Sequence, residues 1–97
     1  MNTYETGNTI RLRGTFNNNA GTPTDPDVPT VRVYDNFYTL LGEFILGTAN
    51  RISTGTYQYD YTIPSGTIDK VYYYEFYGEY SGVPALNRGK FLAKFFV

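Results

Sequence analysis

Gly55-Thr56-Tyr57-Gln58-Tyr59-Asp60-Tyr61-Thr62-Ile63 carries the clearest structural signal in the chain. Tyr57, Tyr59, Tyr61 and Ile63 alternate strictly with Thr56, Gln58, Asp60 and Thr62. A period of two puts every large apolar group on one face and every polar group on the other. That is the pattern of a half-buried strand in an antiparallel sheet. Gly55 permits a sharp turn before the strand, and Pro64 ends its ladder by lacking an N–H.

The same period recurs on both sides. Residues 9–16 place Ile10, Leu12, Gly14 and Phe16 against Thr9, Arg11, Arg13 and Thr15, giving an earlier strand with a basic outer edge. Residues 17–27, Asn-Asn-Asn-Ala-Gly-Thr-Pro-Thr-Asp-Pro-Asp, are almost all turn formers and predict an exposed connection. Residues 28–35 give a strand with Val31 and Val33 facing one way and Arg32 and Tyr34 the other. Residues 36–39 read as a hairpin tip carrying two aromatics, Phe37 and Tyr38, and 40–46 as its return strand. Ile52 is the expected apolar anchor of a short segment at 48–53. Residues 71–77, Val-Tyr-Tyr-Tyr-Glu-Phe-Tyr, put Tyr72, Tyr74 and Phe76 inward, because Glu75 falls on the alternate set and charges are rarely buried unpaired. Tyr73 and Tyr77 then face outward. Residues 78–88 read as a loop, and 90–97 as a last strand with Phe91, Ala93, Phe95 and Val97 inward. The polar stretch at 2–8 reads as a lead-in. About seven short strands joined by turn-rich loops predict an all-β antiparallel sandwich in a single domain spanning 1–97.

Composition narrows the chemistry. Ninety-seven residues suffice for one core. Eleven Tyr and seven Phe must build much of it. The tyrosines suit a thin domain, since each can bury a ring and keep its hydroxyl on water or a backbone partner. A net charge of −1 offers no general attraction to nucleic acid or to anionic lipid. With no cysteine there is neither a disulfide nor a thiolate metal site. With no histidine the commonest general base near neutral pH is missing, so no Ser-His-Asp arrangement can be assembled. No run approaches the roughly 20 apolar residues of a membrane span. The start, Met1-Asn-Thr-Tyr-Glu-Thr-Gly, has no basic region followed by an apolar one, and reads as the beginning of a small gene product made in a cytoplasm.

The order of features resembles small immunoglobulin-like β-sandwich domains encoded in phages, prophages and bacterial surface proteins. The residues that carry the resemblance are Gly7-Asn-Thr-Ile-Arg-Leu12, Gly21-Thr-Pro23 with Asp25-Pro26, Val31-Arg-Val33-Tyr-Asp35, Ser53-Thr-Gly-Thr-Tyr57, Tyr72-Tyr-Tyr-Glu-Phe76-Tyr-Gly78 and the closing Phe95-Phe-Val97. They are core and turn positions and carry over no catalytic residue. The Cys pair of antibody domains is absent. The resemblance implies an immunoglobulin-like sandwich and a virion component: head decoration, connector or tail-associated protein.

Asn17, Asn18, Asn19, Asp25 and Asp27 offer oxygen donors of the kind Ca²⁺ takes, but their spacing matches no calcium loop, and turn chemistry accounts for them. No metal and no cofactor is expected. Asp60 is expected to pair with Arg11 or Arg13 across strands. The acids are scattered rather than converging, so no catalytic pair is expected. An inward ring set of Phe16, Tyr57, Tyr59, Tyr61, Tyr72, Tyr74, Phe76, Phe91 and Phe95 leaves Phe37, Tyr38, Tyr73, Tyr77, Tyr80 and Phe96 as candidate interface residues. The expected function is therefore non-enzymatic protein–protein binding to capsid or tail proteins, in multiple copies on a virion, without nucleic acid or membrane. The alternative is an adhesion or carbohydrate-binding module of a larger cell-surface protein, using exposed tyrosines against sugar faces.

Overall fold

The computed structural model describes residues 1–97. Eight strands form two facing sheets: β1 (Asn2–Glu5), β2 (Thr9–Thr15), β3 (Asp27–Tyr34), β4 (Leu40–Ile45), β5 (Arg51–Ser53), β6 (Thr56–Thr62), β7 (Lys70–Tyr80) and β8 (Val83–Lys94). A single 3₁₀ turn, Thr48–Asn50, precedes β5. One sheet runs β1-β8-β7-β3-β4 and the other β2-β6-β5. All pairings are antiparallel except β1 with β8.

The core lies where the alternation predicts it. On β2 and β6, Leu12 opposes Tyr59 and Ile10 opposes Tyr61, and their side chains meet the facing sheet. Phe16, Phe76, Phe91, Ile63, Val31 and Val33 are the largest fully buried side chains. Rings interlock edge to face, with Phe16 5.7 Å from Tyr57 and 6.3 Å from Phe76. Others stack, with Tyr72 5.3 Å from Phe91 and Phe44 4.5 Å from Tyr59. Such pairs add about 0.5–1.5 kcal/mol each beyond area burial. On the opposite face of β2 and β6, Arg11 Nε meets Asp60 Oδ1 at 2.9 Å, the pairing expected from sequence.

Five expectations need correction. Residues 2–8 hold β1, whose Tyr4 turns inward and packs edge-on against Phe91 at 5.8 Å. A lone inward ring in a polar tetrapeptide leaves little periodic signal. Residues 78–88 are no loop but the arms of a long β7–β8 hairpin. Gly78 and Gly89, which look like breakers, are required by close packing: a Cβ at Gly78 would lie 2.6 Å from Pro26, and one at Gly89 2.4 Å from Tyr74. The turn itself is Ser81-Gly82, both at positive φ (53° and 81°), the two-residue geometry that suits twisted strands. The last strand ends at Lys94 rather than at 97, and Phe95 and Val97 are 48% and 71% exposed rather than inward. The ladder stops where Glu5 of β1 meets Lys94, and without a neighbouring strand Phe95 leaves the sheet. Ile52 is also exposed on its three-residue strand, and Leu46 is the buried anchor of that region. Tyr59 is only half-buried against the core, under Phe44.

Candidate functional site

The outer face of the five-stranded sheet is set by register. Arg32 on β3 lies between Glu43 on β4 and Glu75 on β7, and Glu75 lies beside Arg88 on β8. This row is flanked on β7 by Tyr73, opposite Tyr34, and on the other side by Tyr77, opposite Leu86. The sequence places Glu75 outward, and it is outward, yet it is only 7% exposed. Arg32 Nη1 reaches its Oε1 at 3.1 Å, and Arg88 Nε reaches its Oε2 at 2.7 Å. Arg32 Nε also binds Glu43 Oε2 at 2.7 Å. Two guanidinium groups thus cover a carboxylate that could not be buried alone. Arg32 in turn sits over the Tyr77 ring, 4.4 Å from its centroid. Hydrogen bonding to Glu43 holds the Arg32 guanidinium in its charged form more firmly than usual.

The β3–β4 hairpin adds two rings to this face. Asp35 Oδ1 accepts from the backbone N–H groups of Phe37 (2.8 Å) and Thr39 (3.0 Å), which closes the tip. Tyr38 takes a positive φ of 62°, uncommon for an aromatic residue, and its ring stacks on Tyr73 with centroids 4.6 Å apart. The Tyr73 hydroxyl pushes the Tyr38 hydroxyl to a higher pKa than usual. Phe37 stands free beside it, 80% exposed. Tyr34, Tyr38, Tyr73, Glu75 and Arg88 together line a shallow depression of ≈ 330 Å³.

The six candidate interface residues therefore separate. Phe37, Tyr38, Tyr73 and Tyr77 share one face or its hairpin tip. Phe96 is exposed beyond the end of β8, next to Phe95. Since Lys70 pairs Ala93 and Tyr34 pairs Tyr73, this tail and the β3–β4 tip leave the same end of the sheet. Tyr80 does not belong to the group. Its ring packs against the core and its hydroxyl donates to the carbonyl of Thr24, so it braces the β2–β3 connection. Arg32 and Arg88 were missed as members of the face. The signal available was their place on the outward set of strands already rich in tyrosine.

Asp25 has a structural job. Its Oδ1 accepts from Gly55 N (2.7 Å) and the Tyr57 hydroxyl (3.2 Å), and Arg51 Nε lies 3.1 Å from Oδ2. Arg51 and the Gly55 N–H hold this carboxyl below its usual pKa. It thereby ties the β2–β3 connection to the β5–β6 turn.

Comparison of the chain with protein-family profiles, with curated proteins and with solved structures returned no match.

Proposed function

We propose that the chain is a non-enzymatic structural component of a virion. In this reading it binds neighbouring head or tail subunits through the outer face of its five-stranded sheet and the β3–β4 tip. The observation that carries the reading is the tyrosine and arginine file on that face: Tyr38 on Tyr73, Arg32 on Tyr77, with Phe37 free at the tip. Tyr and Arg are the side chains that most often anchor protein interfaces. The central charges are already paired with one another, so a partner need supply no compensating ion to cover them. The resemblance to phage-encoded domains directs the proposal to a particle, where many copies would sit in the particle's symmetry.

The immunoglobulin-like character of the sandwich belongs to the same proposal. A three-stranded β2-β6-β5 sheet faces one ordered β8-β7-β3-β4, and β1 lies parallel to β8. That arrangement supports it, since the fold sets B, E and D against G, F and C and adds a further strand beside C in its variable form.

The test is density-gradient fractionation of a source culture, following this chain by peptide mass spectrometry. Comigration with particles at a fixed ratio to a major coat protein is expected, and Tyr38→Ala with Tyr77→Ala should abolish it while the protein stays folded. Recovery only as free protein or with cell envelope would refute the virion reading.

A further inference from the structure

β1 covers only Phe91–Lys94 of β8, so the second edge of β8 from Val83 to Lys90 has no strand beside it. Between that edge and the loop after β2 opens a cleft of ≈ 470 Å³. This falls within the range of about 300–1,000 Å³ common for small-molecule sites. Its lining has an unusual composition: four asparagines, Asn17, Asn18, Asn19 and Asn87, beside the aliphatic Val83, Pro84, Ala85 and Leu86 of the β8 edge, with no charged side chain.

Two of the amides are fixed by the fold. Asn18 Oδ1 accepts from Ala20 N (2.9 Å) and Thr22 N (3.1 Å), and Asn87 Nδ2 donates to the Thr15 carbonyl at 3.2 Å. Asn18 keeps its NH₂ donors and Asn87 its carbonyl acceptor for another partner. The Asn17 and Asn19 side chains make no hydrogen bond within the protein, so both ends of each amide are open. Tyr80 forms part of the wall, its hydroxyl already committed to Thr24.

We propose that this cleft binds a neutral saccharide segment. Hydroxyl groups both donate and accept, and so match amides that present both functions at once. Val83 and Ala85, on the same set of β8 positions as Asn87, and the Tyr80 ring suit the C–H faces of a sugar ring. Phosphate and carboxylate ligands find no cation here. An extended peptide adding to the free edge of β8 would need an unbroken row of backbone donors and acceptors, and Pro84 removes one. The site borders the tyrosine face at Leu86, which pairs with Tyr77, and does not depend on the virion reading.

The test is titration of the ¹⁵N-labelled chain with maltohexaose, cellohexaose and chitohexaose, following the asparagine side-chain amide signals. Saturable shifts of Asn17, Asn18, Asn19 and Asn87 are expected with at least one of the three. The dissociation constant should be unchanged by added salt, because no ion pair forms. Asn17→Ala and Asn19→Ala remove side chains with no role in the fold. Each should weaken binding about three- to tenfold, the worth of one hydrogen bond. The proposal is overturned if none of the three sugars shifts these amides. It is equally overturned if the shifts fall on Tyr38, Tyr73 and Tyr77, if both variants bind unchanged, or if an uncharged extended peptide displaces the sugar.

Discussion

At the scale of single residues, stability is concentrated in rings that meet across the two sheets. Phe76 is fully buried and touches both Phe16 and Tyr74. Phe76→Ala should cost about 3–5 kcal/mol in denaturant unfolding, as for other buried aromatics, whereas Tyr59→Ala should cost less because its ring is half-buried. Gly14 lies beneath Phe76, and a Cβ there would come within 2.5 Å of the ring, so Gly14→Ala should destabilise by about 1–3 kcal/mol through overpacking. Asp25 gives a pH signature. Its folded pKa is depressed by Arg51 and Gly55, so its contribution is present above the unfolded carboxylate pKa and is lost as pH falls through the folded value. Asp60 beside Arg11 behaves alike. Thermal melting should therefore be lowered on acidification below about pH 4, and Asp25→Asn should reduce that dependence. An Asp25→Asn protein with the wild-type acid profile would show that the latch contributes nothing.

At the scale of elements, the β7–β8 hairpin and the Glu75 cluster organise the larger sheet. Glu75→Gln keeps the shape but removes the charge between Arg32 and Arg88, and should destabilise by about 1–3 kcal/mol in chemical unfolding. An unchanged or raised stability would mean that the paired charges cost as much to desolvate as they return. The hairpin needs positive φ at both turn residues, so Ser81→Asn should be neutral or stabilising and Gly82→Val destabilising by about 1 kcal/mol or more. The turn was hard to see in the sequence because Gly78, Gly82, Pro84 and Gly89 resemble a breaker-rich loop. Two of those glycines instead make room for Pro26 and Tyr74. Such a role depends on a neighbour distant in the chain and leaves no local mark.

At the scale of the whole molecule, burial raises the pKa of Tyr57, Tyr61, Tyr72, Tyr74 and Tyr80. A raised folded pKa means that stability is complete below the unfolded tyrosine value and is lost as pH rises through the folded one. With neither histidine nor cysteine in the chain, no such side chain titrates between the carboxylate and tyrosine ranges. Stability should thus run nearly flat from about pH 5 to pH 9 and then collapse cooperatively, with late tyrosine ionisation following unfolding in the ultraviolet spectrum. Tyrosines that all ionised before unfolding would contradict the packing described for them. The open face behaves differently: Tyr38 and Tyr77 can be removed without opening the core, which is what makes them usable in the particle-binding test.

Local alternation was enough to identify β2, β3, β6 and the first part of β7. It also determined which of their faces is buried, because the period of two is a property of the extended backbone and needs no knowledge of partners. The sequence named Phe37, Tyr38, Tyr73, Tyr77, Tyr80 and Phe96 as surplus to one core. Long-range packing decided that Asn2–Glu5 forms a parallel strand on β8, that Phe95 and Ile52 stay outside, and that Tyr80 is a brace. It also decided that Glu75 is buried beneath two arginines, and that Asn87 joins three loop asparagines around one cleft. These features rest on pairs separated by tens of residues. Their free energy comes from closing the two sheets together, and no window of local sequence contains it.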